Sequence, residues 1–315
     1  MLSRVADSIY WLNRYVERAE NTARFIDANV TLILDSPVGI TDQWEPLVTT
    51  TGDRQMFLQH YGKATKENVQ QFLTFDRQNP NSILSCLWMA RENARSIREV
   101  ISSDMWEEIN EFYYLVKDTS PEKSLVELSE FYTEVKRLSH LFCGLMDATM
   151  SHNEGWHFGT IGRLLERADK TSRILDVKYY ILLPSAQDVG TALDEIQWIA
   201  LLKSASAYEM YRKQMSRHQI TPVGVANFLL LDREFPRAIH SCLLRSEQSL
   251  HEINGTSPGT WSNPAERALG RLRSELDYTT IEEVMHQGLH EFIDNLQQQF
   301  NRVGSAFYET YFAWK

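Results

Sequence analysis

Arg14, Glu17, Arg18, Glu20 and Arg24 fall within eleven residues, and Arg163, Glu166, Arg167, Asp169 and Arg173 restate them 149 positions later. Such a set is suited to handling charge. A planar guanidinium grips a carboxylate or phosphate with two prongs, and a carboxylate among cations can hold an amine or accept a proton. Both copies read R-x-x-E-R-A-[ED]-x-T-x-R-x-x-D, and seven of 14 positions are identical between Arg14–Asp27 and Arg163–Asp176. At about 100° per residue, the polar members, with Asn21 and Asp27, occupy one half of a helix. Tyr15, Val16, Ala19, Ala23 and Ile26 take the other half.

A solvated face laced with ion pairs, each worth about 0.3–0.5 kcal/mol, would explain one such helix. It does not explain two. The charged residues keep their identity while Tyr15-Val16 gives way to Leu164-Leu165, and every cation common to both copies is arginine. A desolvated Arg–carboxylate network where two halves of the chain meet accounts for both facts, serving either structural registry or ligand binding. On that reading Arg167→Ala damages the fold, and Glu17→Ala damages function more than stability.

Other candidates carry less. Thr65–Leu87 aligns with Thr221–Leu243 at an offset of 156 with 11 of 23 positions identical, and its signature contains Asp76-Arg77 and Asp232-Arg233. These pairs suit capping or pairing across a helix junction, with Pro80 and Pro236 expected in the first turn of the following helix. They remain secondary candidates for the same cleft. His286 and His290 stand one turn apart near Glu282 and Glu283, but the segment lacks the glutamate of H-E-x-x-H. Glu17, Glu20, Glu166 and Asp169 match a bundle di-metal site in number and lack its Glu-x-x-His partners. No metal, cofactor, glycine-rich phosphate cradle or nucleophile elbow is expected.

The elements that must position these residues are helices. Apolar residues recur at spacings of three and four, with Trp11, Tyr15, Ala19, Ile26 and Val30 on one side of a first helix over about 3 to 35. Further helices are predicted at about 42–60, 66–76, 81–102, 104–117 and 122–150, then 158–183, 191–215, 222–231, 236–253, 264–277 and 279–312. The prediction is an all-α bundle of two tandem-duplicated halves, residues 1–150 and 151–315, related by a pseudo-twofold and packed as one unit. Segment Ser151–His157 reads as the connection between them. Cys86, Cys143 and Cys242 lack metal-type spacing and read as reduced thiols of a cytoplasmic protein. The N-terminus is interrupted by charge like a helix and unlike a leader, and no apolar run reaches membrane length. A net charge of −10, from 42 acidic and 32 basic residues, argues against nucleic-acid binding.

MLSRVADSIYWLNRYVERAENTARFID, FGTIGRLLERADKTSRILD and NFLLLDREFPRAIHSCL resemble the alpha-E family, bacterial all-helical domains named for a Glu-Arg motif. The resemblance spans the whole chain. It implies the company of a circularly permuted ATP-grasp protein, with a transglutaminase-like cysteine peptidase and sometimes a proteasome-like peptidase. Such company implies ATP-driven amide-bond formation, the ATP-grasp enzyme activating a carboxylate as an acyl phosphate. Three functions are then open. The chain is an accessory subunit that binds the ligase or its substrate through the Glu-Arg faces, an enzyme with Glu17 or Glu166 as general base, or a structural scaffold.

Overall fold

The computed structural model describes residues 1–35, 44–122, 125–180, 191–214 and 220–313, and among these every regular element is helical. The first run is α1 (Ser3–Asp35), α2 (Glu45–Thr51), α3 (Arg54–Tyr61), α4 (Lys66–Gln70), α5 (Ile83–Ser96), α6 (Ser103–Asp118) and α7 (Leu125–Thr149). The second is α8 (Glu154–Tyr180), α9 (Ala192–Ser204), α10 (Tyr208–Gln214), α11 (Pro222–Leu231), α12 (Ile239–Asn254), α13 (Pro264–Tyr278), α14 (Ile281–Gln287) and α15 (Leu289–Phe307). Each run opens on its longest helix.

The two long helices, α1 and α8, pack on each other at the centre. Ile9, Leu12, Val16, Ala19, Ala23, Ile26 and Val30 form a buried seam along α1, spaced alternately by three and four. Ile161, Leu164, Ala168 and Leu175 answer it from α8. Trp11 and Tyr15, expected on the buried side, pack only partly buried at its margin. Close approach depends on small residues: a Cβ on Gly162 would run into the Tyr10 carbonyl of α1. Around this pair, α5, α7 and α9 flank α1, while α12, α15 and α2 flank α8. Thus α9, from beyond residue 150, packs on the first long helix, and α2, from before it, packs on the second.

Several expected helices are divided. Residues 42–60 break at Gly52 (φ 85°), residues 191–215 at Ser206 (φ 48°), and residues 279–312 at Gly288 (φ 104°), all left-handed positions that end a helix. Where 81–102 was expected helical, the helix stops at Ser96 and turns follow. Pro80 and Pro236 stand ahead of α5 and α12, outside the first turn expected for them. Ser82 caps α5 by accepting from the Ser85 amide, and the prolines' carbonyls accept from the thiols of Cys86 (3.8 Å) and Cys242 (3.4 Å). Two short π-helical turns, Gln71–Phe75 and Tyr308–Phe312, extend α4 and α15.

Candidate functional site

Where α1 crosses α8, each glutamate takes the other helix's arginine. Arg18 donates to Glu166 from Nε (2.6 Å, Oε1) and Nη2 (3.1 Å, Oε2), and Arg167 donates to Glu17 from Nε (2.9 Å, Oε1) and Nη2 (2.8 Å, Oε2). Both pairs are two-pronged, and Glu17 and Glu166 are buried. One turn on, Arg24 pairs with Glu20 and Arg173 with Asp169, each through Nε at 2.9 Å. A further turn brings Lys136 to Asp27 and His290 to Asp176, each at 2.7 Å. This face is a packed interface between helices. The solvated-face alternative does not describe it.

The two copies differ in what closes them. In the first, Arg237 of the loop before α12 inserts its guanidinium between the carboxylates. Its Nη1 donates to Glu17 and Asn21 at 3.2 Å, and its Nη2 to Glu20 at 2.5 Å. Asn21 adds a bond to Glu17 (2.9 Å), and Ser139 and His140 of α7 cover Glu20 at 3.3 and 2.9 Å. In the second copy the residue aligned with Arg237 is Asn81, whose short side chain accepts from Arg18 (2.8 Å) and donates to Asp53 (3.0 Å). The residue aligned with Asn21 is Lys170. No guanidinium fills the gap there.

In its place lies a cavity of about 550 Å³, with Arg14, Arg18, Lys170, Arg173, Asp169 and Glu309 as its charged lining. Tyr10, Trp11, Phe300, Tyr308 and Phe312 supply aromatic walls, the last two from the π-helical turn after α15. Such turns recur at functional sites. Arg14 donates to Glu166 (2.8 Å) and Tyr10 (3.1 Å) while stacking over Trp11 at 4.8 Å. Arg173 donates to Asp169 and to the Thr50 carbonyl (3.2 Å), and its Nη2 is in no hydrogen bond among the described residues.

Lys170 is held loosely. Its ammonium lies 3.3 Å from Asp169 and 3.6 Å from Glu166, forms no hydrogen bond among the described residues, and its side chain is 12% exposed. Burial pulls the ammonium below its ordinary acidity range, against the attraction of Asp169 and Glu166. For Glu166, burial pushes upward, but Arg18, Arg14 and Lys170 outweigh it and hold the carboxyl well below the usual range. Asp169 is lowered too, burial being overcome by Arg173 and Lys170.

Of the residues singled out in the sequence, Arg14, Arg18, Glu166, Asp169 and Arg173 gather at the open copy, and Glu17, Glu20, Arg24 and Arg167 at the closed one. Arg163 joins neither, and its Nε is buried without a hydrogen-bond partner. The secondary candidates stand apart from the cavity lining. Asp76 accepts from Tyr61 (3.0 Å) and the Gln78 amide (2.8 Å), and Asp232 from the Glu234 and Phe235 amides (2.9 and 2.6 Å). Arg233 pairs with Asp277 (2.9 Å), and Arg77 is exposed. Lys170, Arg237 and Asn81 were missed because they lie where the copies disagree. That disagreement was itself the available signal.

Two Glu-Arg dipeptides, Glu17-Arg18 and Glu166-Arg167, therefore cross-pair at the centre of an all-helical chain, and the alpha-E family model, "a predicted alpha-helical domain with a conserved ER motif", matches residues 1–312. The chain belongs to the alpha-E family. Uncharacterised proteins of Mycobacterium bovis and Mycobacterium tuberculosis are each 24% identical to it over 312 residues, covering 91% of this chain and 34% of theirs. This alpha-E chain spans about a third of the length of those relatives. No solved structure matches it significantly.

Proposed function

We propose that this alpha-E chain is an accessory, binding subunit of an ATP-grasp-dependent peptide or amide ligation system. It contributes recognition, and its partner makes the bond. The open copy carries the reading: a cavity of about 550 Å³ with cationic and aromatic walls is of ligand-binding size. The ATP-grasp partner is what the family resemblance implies, and a transglutaminase-like peptidase is a further partner of the same kind. The mycobacterial relatives, about three times as long, are consistent with a domain that works beside others.

The enzyme reading fares worse on electrostatics. A general base works best with its affinity for protons raised toward neutrality. Glu17 and Glu166 are both lowered, with burial overcome by arginines, and each accepts two-pronged arginine bonds. The scaffold reading fits the closed copy and leaves the open one without a purpose. Co-expression with a circularly permuted ATP-grasp protein tests the proposal. The two should co-elute, and ATP-dependent ligation should require the alpha-E chain; separate elution with ligation indifferent to the chain overturns it.

A further inference from the structure

We infer that the open copy is an oxyanion site in which Lys170 is the recognition residue, its ligand a carboxylate or phosphate carried on an aromatic or apolar body. This rests on the binding-subunit reading and narrows it. One motif has been built twice, so each copy shows what the other lacks. In the closed copy the charges are answered from within the chain, because Arg237 bridges Glu17 and Glu20. In the open copy Glu166 is already taken by Arg14 and Arg18, and Asp169 by Arg173, so neither carboxylate waits for a cation.

What remains unspent is positive. The Lys170 ammonium, held by ion pairs to Asp169 (3.3 Å) and Glu166 (3.6 Å), and Arg173 Nη2 make no hydrogen bond among the described residues, and both residues line the cavity. Four cations line it with Asp169 and Glu309, and Glu166 lies beneath, so 4 − 3 leaves one positive charge in excess. That excess sits inside a chain whose net charge is −10. Lys170 is only partly buried and is held by ion pairs alone, so a bound oxyanion would accept from its ammonium while neutralising the surplus. The cavity is far larger than a bare anion needs, and its Trp11, Tyr308 and Phe312 walls call for an apolar body attached to the anion.

Calorimetry on the full chain tests this with phenyl phosphate, benzoate, inorganic phosphate and phenethylammonium. An aromatic anion should bind at least tenfold tighter than phenethylammonium and tighter than inorganic phosphate. The order of phenyl phosphate and benzoate then separates a phosphate ligand from a carboxylate. Lys170→Met should weaken the preferred anion at least tenfold without a comparable fall in melting temperature. Gly304 of α15 lines the cavity, and a Cβ there meets no atom within 4 Å. Gly304→Leu should therefore block binding with every charge intact. Absence of anion binding, preference for phenethylammonium, or unchanged affinity in both variants overturns the inference. A stable complex with the ATP-grasp protein that binds no anion sinks this inference and leaves the subunit reading standing; anion binding without a complex does the reverse.

Discussion

Glu17 and Glu166 hold the same motif position but different surroundings, and they should respond differently to removal. Glu17→Ala leaves Arg167 and the buried Arg237 facing each other inside the closed copy, and losing one partner of a buried pair costs about 3–5 kcal/mol. Glu166→Ala strands Arg14 and Arg18 beside a cavity that admits water, so the loss should be nearer about 1–3 kcal/mol. Urea denaturation of both variants measures the difference; equal losses would mean that the two copies are equally closed. This reverses the sequence-based expectation, which gave Glu17 to function. The motif's shared letters identified a framework, and all five arginines and carboxylates of each copy except Arg163 were found in it. Lys170 and Arg237 stayed hidden because repetition points to what two sites have in common, whereas a ligand needs what only one of them has.

At the scale of elements, the crossing of α1 and α8 combines close backbone approach with buried charge, and each makes a prediction. Alanine is favoured over glycine by up to about 1 kcal/mol inside a helix, so Gly304→Ala in α15, with open space before it, should be stabilising. Gly162→Ala should be destabilising by about 1–3 kcal/mol, because the added methyl meets the Tyr10 carbonyl and the helices must part. Thermal melts that shift in the same direction for both would remove the close crossing. The carboxylates set the pH response. Glu17, Glu20 and Glu166 are all held below their ordinary value of 4.5, in each case burial being outweighed by arginines. Groups lowered in the folded state bind fewer protons there than in the unfolded chain, so they stabilise above about 4.5 and lose that contribution as pH falls through their folded values. Melting temperature should fall steeply below about pH 4.5, with Glu166→Gln reducing the fall. Long helices were legible in sequence because a three-and-four ladder on α1 and α8 is reinforced over many turns. Their interruptions were not: the ladder of Ile281 through Phe307 continues in register on both sides of Gly288, and a single left-handed residue redirects it.

For the whole molecule, the reciprocal pairs Arg18–Glu166 and Arg167–Glu17 make the regions before and after residue 150 depend on each other. Residues 1–150 and 151–315 expressed separately should each be unfolded or aggregated, since each would bury arginines and glutamates without partners, and mixing should restore helical signal and cooperative melting. Circular dichroism of fragments and mixture decides it; two fragments that melt cooperatively on their own would mark independent domains. The duplicated ancestry proposed from the sequence makes a separate geometric demand, that residues 3–117 superpose on 152–277. The reciprocity has another outcome. The Arg–Glu bonds between α1 and α8 each join a residue before the short stretch 150–153, between α7 and α8, to one after it, and none of them requires that both belong to the same polypeptide. Two chains trading halves would satisfy the same contacts, so the monomer is favoured over an intertwined dimer by the local concentration that this hinge confers. Stoichiometry is then encoded in four linker residues, and shortening them should turn one molecule into two entwined ones with the core unaltered.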